Sequence, residues 1–156
     1  MLLCSTVAVR ADDDEYSRRS LAGLKGIAIF IPELPPEVEQ SGLMNSAIRT
    51  DVELKLRQSG IHIIGANEGD GLSAVLTVGV EVLPSGTGLW AYDVNVDVRQ
   101  VVVLARDPSI RLPLNKTWSS GAFGTVGKLN VRNLREQVKD QVDKFINAYL
   151  SVNPKK

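Results

Sequence analysis

His62 is the sole histidine of the 156-residue chain, so any acid–base chemistry near neutral pH falls first to it. It lies in the short isoleucine-rich run Gly60 to Gly65, where a hydrogen-bonded or solvent-facing structural histidine is the expected reading. Asp93 and Asp97, with Glu81, could share one sheet face and form a carboxylate pair or a calcium site. Asn95 and Arg99 fall on the same alternation and dilute that charge, so a solvated sheet face is expected instead. Gly121, Gly124, Gly127 and Lys128 invite comparison with a phosphate-binding loop. Ala122 stands where the first glycine is required and Leu129 where a hydroxyl residue is required, so the pattern fails twice. The glycines are read as allowing a bulged strand end or a tight turn.

Other reactive combinations are equally incomplete. One histidine would have to serve every serine, and no Gly-x-Ser-x-Gly elbow occurs. Cys4 is the one cysteine, which rules out a disulfide framework and leaves zinc to carboxylates at spacings the chain lacks. Lipid attachment at Cys4 would need a small residue just before it, and Leu3 stands there. The expectation is a chain with no catalytic residues, no metal and no cofactor. Asn115-Lys116-Thr117 fits the glycosylation acceptor pattern, relevant only in a eukaryotic secretory pathway. The expected partner-binding residues are Trp90, Trp118 and Phe123. Aromatic side chains near strand ends are frequent anchors of interfaces, and the stretch from Trp118 to Gly127 offers flexible backbone beside them.

Composition narrows the partners. The 18 lysines and arginines balance 18 acids, so no net positive field gathers phosphates and nucleic acid is not expected. A hydrophobic fraction of 44% is that of a globular domain with a packed core. No later apolar run approaches the roughly 20 residues needed to span a bilayer, so a soluble domain is expected. At the front, Leu2, Leu3 and Val7 to Val9 lead into Val9-Arg10-Ala11 and then the acidic run Asp12 to Glu15. Small residues before a cut suit signal peptidase. Residues 1–15 are therefore read as the closing part of a truncated signal peptide plus an acidic linker, and 16–156 as one periplasmic or secreted domain.

The elements that would position these residues follow from periodicity. Leu24 to Ile31 is an almost continuous apolar run, the pattern of a buried strand. Pro35-Pro36 begins what reads as an extended connection. Met44, Ile48, Val52 and Leu56 mark one face of a helix over about 42–58, with Ser41 its expected cap and Ser59-Gly60 its stop. Gly60 to Gly65 is then a second strand, completing a βαβ unit. Alternating valines over 74–82 and 90–98 predict a hairpin, the second strand bending on toward Leu104. Ile110 to Thr125 is a weaker strand expected to pair with it. Val131, Leu134, Val138, Val142, Phe145, Tyr149 and Val152 form the stripe of a closing helix, with Asn130 as its expected N-cap and Asp140–Lys144 a supporting pair. The fold class is α+β: an opening βαβ unit, antiparallel strands, and two helices on one face of the sheet.

The run Ile48 to Ile61, with Phe145 to Leu150 at the other end, resembles small exported bacterial proteins of unassigned role. The order of elements is similar to that in small α+β envelope domains such as the amino-terminal domain of TolB and the lipopolysaccharide-assembly lipoprotein of the outer membrane. That resemblance implies a non-enzymatic envelope role, exercised by binding proteins or lipids. The leading expectation is a domain that binds a protein partner in the cell envelope through a sheet edge or the strand near Trp118. The alternative is a carrier of a small ligand or lipid in a pocket between helices and sheet.

Overall fold

The computed structural model describes residues 12–65 and 74–154, together with the backbone of 7–8. Strand β1 is Val7–Ala8 and helix α1 is Glu15–Arg19; β2 is Ile27–Phe30, α2 is Pro36–Gln40 and α3 is Asn45–Gln58. Three long strands follow: β3 (Ala74–Leu83), β4 (Leu89–Leu104) and β5 (Asp107–Gly127). A 3-10 turn over Lys128–Asn133 leads into α4, Leu134–Val152. The sheet order is β1-β5-β4-β3-β2, parallel between β2 and β3 and antiparallel elsewhere. This is the expected α+β class.

One layer of helices covers one face of the sheet. From the strands, Leu76, Val78, Val94, Val96, Val98 and Trp118 turn inward, each fully buried. They meet Ile48, Val52 and Leu56 of α3 and Val138, Val142 and Phe145 of α4. The Trp118 and Phe145 rings meet edge-on, with centroids 5.6 Å apart. Ion pairs join the helices on their wet sides: Arg135 clasps Asp51 through two bonds of 2.8 and 2.9 Å, and Lys55 reaches Asp143 at 2.7 Å.

Several local expectations need correction. The segment from Pro36 is a helical turn, because proline suits the first helical position, where its missing N–H has no partner to lose; Val38 is thereby driven into the core. Ser41 closes that turn instead of opening the next helix, and α3 starts after Met44 with no side-chain cap. Asn130 lies inside the 3-10 turn, and the N-cap of α4 is Asn133. Lys144 bonds Gln141 at 3.2 Å instead of pairing with Asp140. The run Gly60 to Gly65 forms no named strand and meets β2 through a parallel bridge, Ile63 to Ile27. The strand that completes the crossover is β3, which runs parallel to β2 from Ala74.

Candidate functional site

Both long helices lie on one side, and among the described residues the opposite face of the sheet carries no helix. Its side chains form rows set by strand register: Thr77–Asp97–Ser119, then Gly79–Asn95–Gly121, then Glu81–Asp93–Phe123. The middle row is a trough, because glycine stands on both sides of Asn95. A Cβ at Gly79 would lie 2.5 Å from the Asn95 side chain, and one at Gly121 would lie 2.9 Å from the Val94 carbonyl oxygen. These positions require glycine for close approach, not for turning.

Beside this trough runs an unpaired edge. β2 pairs with β3 only from Ala74 to Thr77, and among the described residues no strand occupies the same side of β3 from Val78 to Leu83. The chain instead leaves β2 through Ile31 to Pro35 and bounds a groove of about 970 Å³. Ala28, Phe30, Val75, Val80 and Val82 give it apolar walls, and Glu33, Glu81, Asp97 and Arg99 its charges. Phe30 is 56% exposed within it, an uncommon position for a phenylalanine that nothing covers.

The charges are not all balanced. Asp97 is buried and faces Arg99 at 3.3 Å and Lys116 at 3.8 Å. Glu81 stands directly across from Asp93 on the neighbouring strand, a like-charge pair that repels. Neither Glu81 nor Glu33 forms an ion pair among the described residues. The groove therefore combines backbone donors and acceptors, apolar walls and uncompensated negative charge. Such a surface suits an extended polypeptide carrying apolar and cationic side chains.

The expected partner-binding aromatics are distributed differently. Trp118 is completely buried. Its Nε1–H donates to Asp13 at 2.8 Å, leaving no ring face for a partner. Trp90 is also buried, with the Lys128 ammonium 5.8 Å from its ring centre. Alternation along β4 and β5 turns both rings to the helix side. Phe123 is 43% exposed and ends the row begun by Glu81, so it alone of the three faces outward. His62 is exposed beside Arg57, away from the groove. Asp93 and Asp97 do share a face with Glu81, and among the described residues no cluster of three or more potential ligands is placed to hold a metal. Gly121 and Gly124 lie within an unbroken ladder from Leu89↔Gly127 to Val98↔Trp118. Neither a bulge nor a turn falls there, and Gly124 makes room for the Tyr92 ring.

The acidic stretch read as a linker makes specific contacts. Arg18 grips Asp13 with two bonds of 2.7 and 2.8 Å, and Asp14 caps α1 by accepting from the Ser17 N–H at 2.7 Å. The Arg18 hydrogen bonds, reinforced by Trp118 and opposed by burial, hold the Asp13 carboxyl below its ordinary value. Between helices and sheet, where the alternative reading places a ligand pocket, the described apolar side chains form one buried cluster; the 970 Å³ groove opens elsewhere, along β3 and the uncovered face. Sequence reasoning missed Glu33, Phe30 and the free edge, since the first two look like loop and core residues until β2 is seen to stop at Phe30. Among the described residues no helix is long and apolar enough to cross a membrane.

No known family model matches the chain, and no curated protein matches it. Solved structures are similar at low identity, two of them bacterial proteins. One is a dodecamer of a PelC point variant from Paraburkholderia phytofirmans, at 12% identity over 93% of this chain and 97% of that one, with a TM-score of 0.43. The other is a minor lipoprotein from Acinetobacter baumannii, at 12% identity over 85% of this chain and 95% of that one, with a TM-score of 0.40. At these scores neither neighbour bears on what this chain binds.

Proposed function

We propose that this chain is a non-catalytic, exported binding domain that takes an extended segment of a protein partner along the free edge of β3. The observation that carries the reading is the unpaired edge from Val78 to Leu83 beside the 970 Å³ apolar groove. Strand addition supplies affinity through main-chain hydrogen bonds, and the walls select alternate side chains. Phe30, Val75, Val80 and Val82 favour apolar groups, whereas Glu33 and Glu81 favour lysine or arginine. A short peptide alternating valine with lysine should bind, and one alternating valine with glutamate should not, as read by titration calorimetry. Replacing Glu33 and Glu81 together by lysine should weaken the first peptide about tenfold or more, roughly the loss of one good charge contact. Equal affinity for both peptides, or none for either, contradicts the reading.

Export rests on the front of the sequence, where residues 1–6 and 9–11 lie outside the described residues. Expression from the gene with its native upstream sequence in a bacterium with a periplasm, followed by fractionation and N-terminal sequencing, should find the mature protein beginning at or near Asp12. Intact protein confined to the cytoplasm refutes export while leaving the groove reading untouched.

A further inference from the structure

We infer that the segment entering the groove belongs to a second copy of this chain, and that it is the far half of the β4–β5 ribbon; the inference rests on the binding role assigned to the groove. Among the described residues β4 pairs with β3 only up to Arg99, and the strand and bridge partners of β5 on its other side reach no further toward the ribbon tip than Ser119, beyond which the Ser20 hydroxyl donates to the Thr117 carbonyl oxygen. Among the described residues, no strand pairs with either outer edge of this two-stranded ribbon from Gln100 to Asn115. An isolated two-stranded ribbon is marginal in water, and free apolar edges are templates for further pairing.

The side chains of this ribbon complement the groove. Val103, Ile110, Leu112 and Leu114 are 52%, 38%, 37% and 53% exposed. Arg106 and Arg111 lie among them and, like Asp107 beside Arg106, form no ion pair among the described residues, which leaves the ribbon with one net positive charge. The groove presents the reverse: apolar walls with Glu33 and Glu81 equally unpaired. One molecule thus carries two exposed apolar surfaces, one with unspent positive charge and one with unspent negative charge. Backbone groups without ladder partners occur on both.

The ribbon of one molecule cannot fill its own groove. Leu114, at its base, borders the groove, while β4 runs five residues past Arg99 to Leu104, about 17 Å farther at ~3.3 Å per residue. Bringing the tip back would break the ladder between Gln100 and Asn115. A neighbouring copy meets no such obstacle. Ribbon into groove is a head-to-tail contact, which closes into a ring or continues as a filament.

Sedimentation velocity on the full mature chain tests this by charge exchange. Wild-type protein should associate in a concentration-dependent manner. Glu33→Lys with Glu81→Lys should yield monomers, and so should Arg106→Glu with Arg111→Glu. Mixing the two variants, or combining all four changes in one chain, should restore association. Monomeric wild-type protein that still binds the valine–lysine peptide overturns the self-association and leaves the groove reading standing. Loss of both overturns both. Association that survives the ribbon reversal also overturns the inference, since ribbons would then be meeting ribbons.

Discussion

Asp13 shows how one side chain joins several parts of the molecule. Its carboxylate accepts from Arg18 and from the indole of the buried Trp118, which ties the start of the domain to β5. Asp13→Ala leaves that buried N–H unsatisfied and should cost about 1.5–3 kcal/mol, the range for hydrogen bonds to charged groups, measurable by urea denaturation. Because the folded-state pKa is depressed below the ordinary value of 3.8, the unfolded chain takes up the proton first as pH falls. The Asp13 contribution is therefore complete above that value and disappears as pH drops through the lower folded pKa. Wild-type stability should fall more steeply than that of Asp13→Asn below the ordinary carboxylate range, and in parallel with it near neutrality. Trp118→Phe should reduce stability but leave affinity for the valine–lysine peptide unchanged. A large loss of affinity at constant fold would return Trp118 to the binding surface. The burial of Trp118 is partly legible in the sequence, since Trp118, Ser120 and Ala122 alternate, but serine and glycine between them obscure the inward face. Asp13 is not legible, because an aspartate within an acidic run carries no mark of a partner more than a hundred positions away.

Among the elements, α3, α4 and the β3–β4 hairpin can be read from periodicity, because burial of one face imposes a repeat on the sequence. Val138, Val142 and Phe145 are buried on α4 as their spacing predicts. Gln141 breaks the pattern: it is 3% exposed and accepts from Ser120 at 2.6 Å. Gln141→Leu alone strands the Ser120 hydroxyl and should cost about 1–3 kcal/mol, whereas Gln141→Leu with Ser120→Ala should recover most of that loss. Thermal denaturation of the single and double variants checks this coupling; additive effects would show that the bond contributes little. The glycine row offers a second comparison. Gly121→Ala must push against the Val94 carbonyl and should destabilise more than Gly79→Ala, which needs only the Asn95 side chain to turn aside. The bend after Val98 is legible in the sequence, but its extent is not. Register shifts follow Val98, Gln100 and Val103, and Leu114 adopts a φ of 52°, a left-handed conformation unfavourable for leucine. Alternation is lost across such shifts, so the ribbon reads in sequence as a weak strand instead of an exposed one.

At the scale of the whole molecule, the class of fold follows from the order of elements, while the functional surface depends on where one strand ends. β2 is four residues long and β3 ten, and the difference leaves the far part of the β3 edge without a strand among the described residues. No local pattern marks that mismatch, because it arises from pairing between segments more than forty positions apart. Backbone amide NMR during titration with the valine–lysine peptide tests strand addition at the β3 edge. Strand addition there predicts shifts concentrated at Ala28 to Phe30, at Val78 to Leu83 and along the outward row from Asp93 to Arg99, with slowed amide exchange along the β3 edge. Shifts confined to the exposed surfaces of α3 and α4, or a spectrum unchanged at saturating peptide, would contradict it.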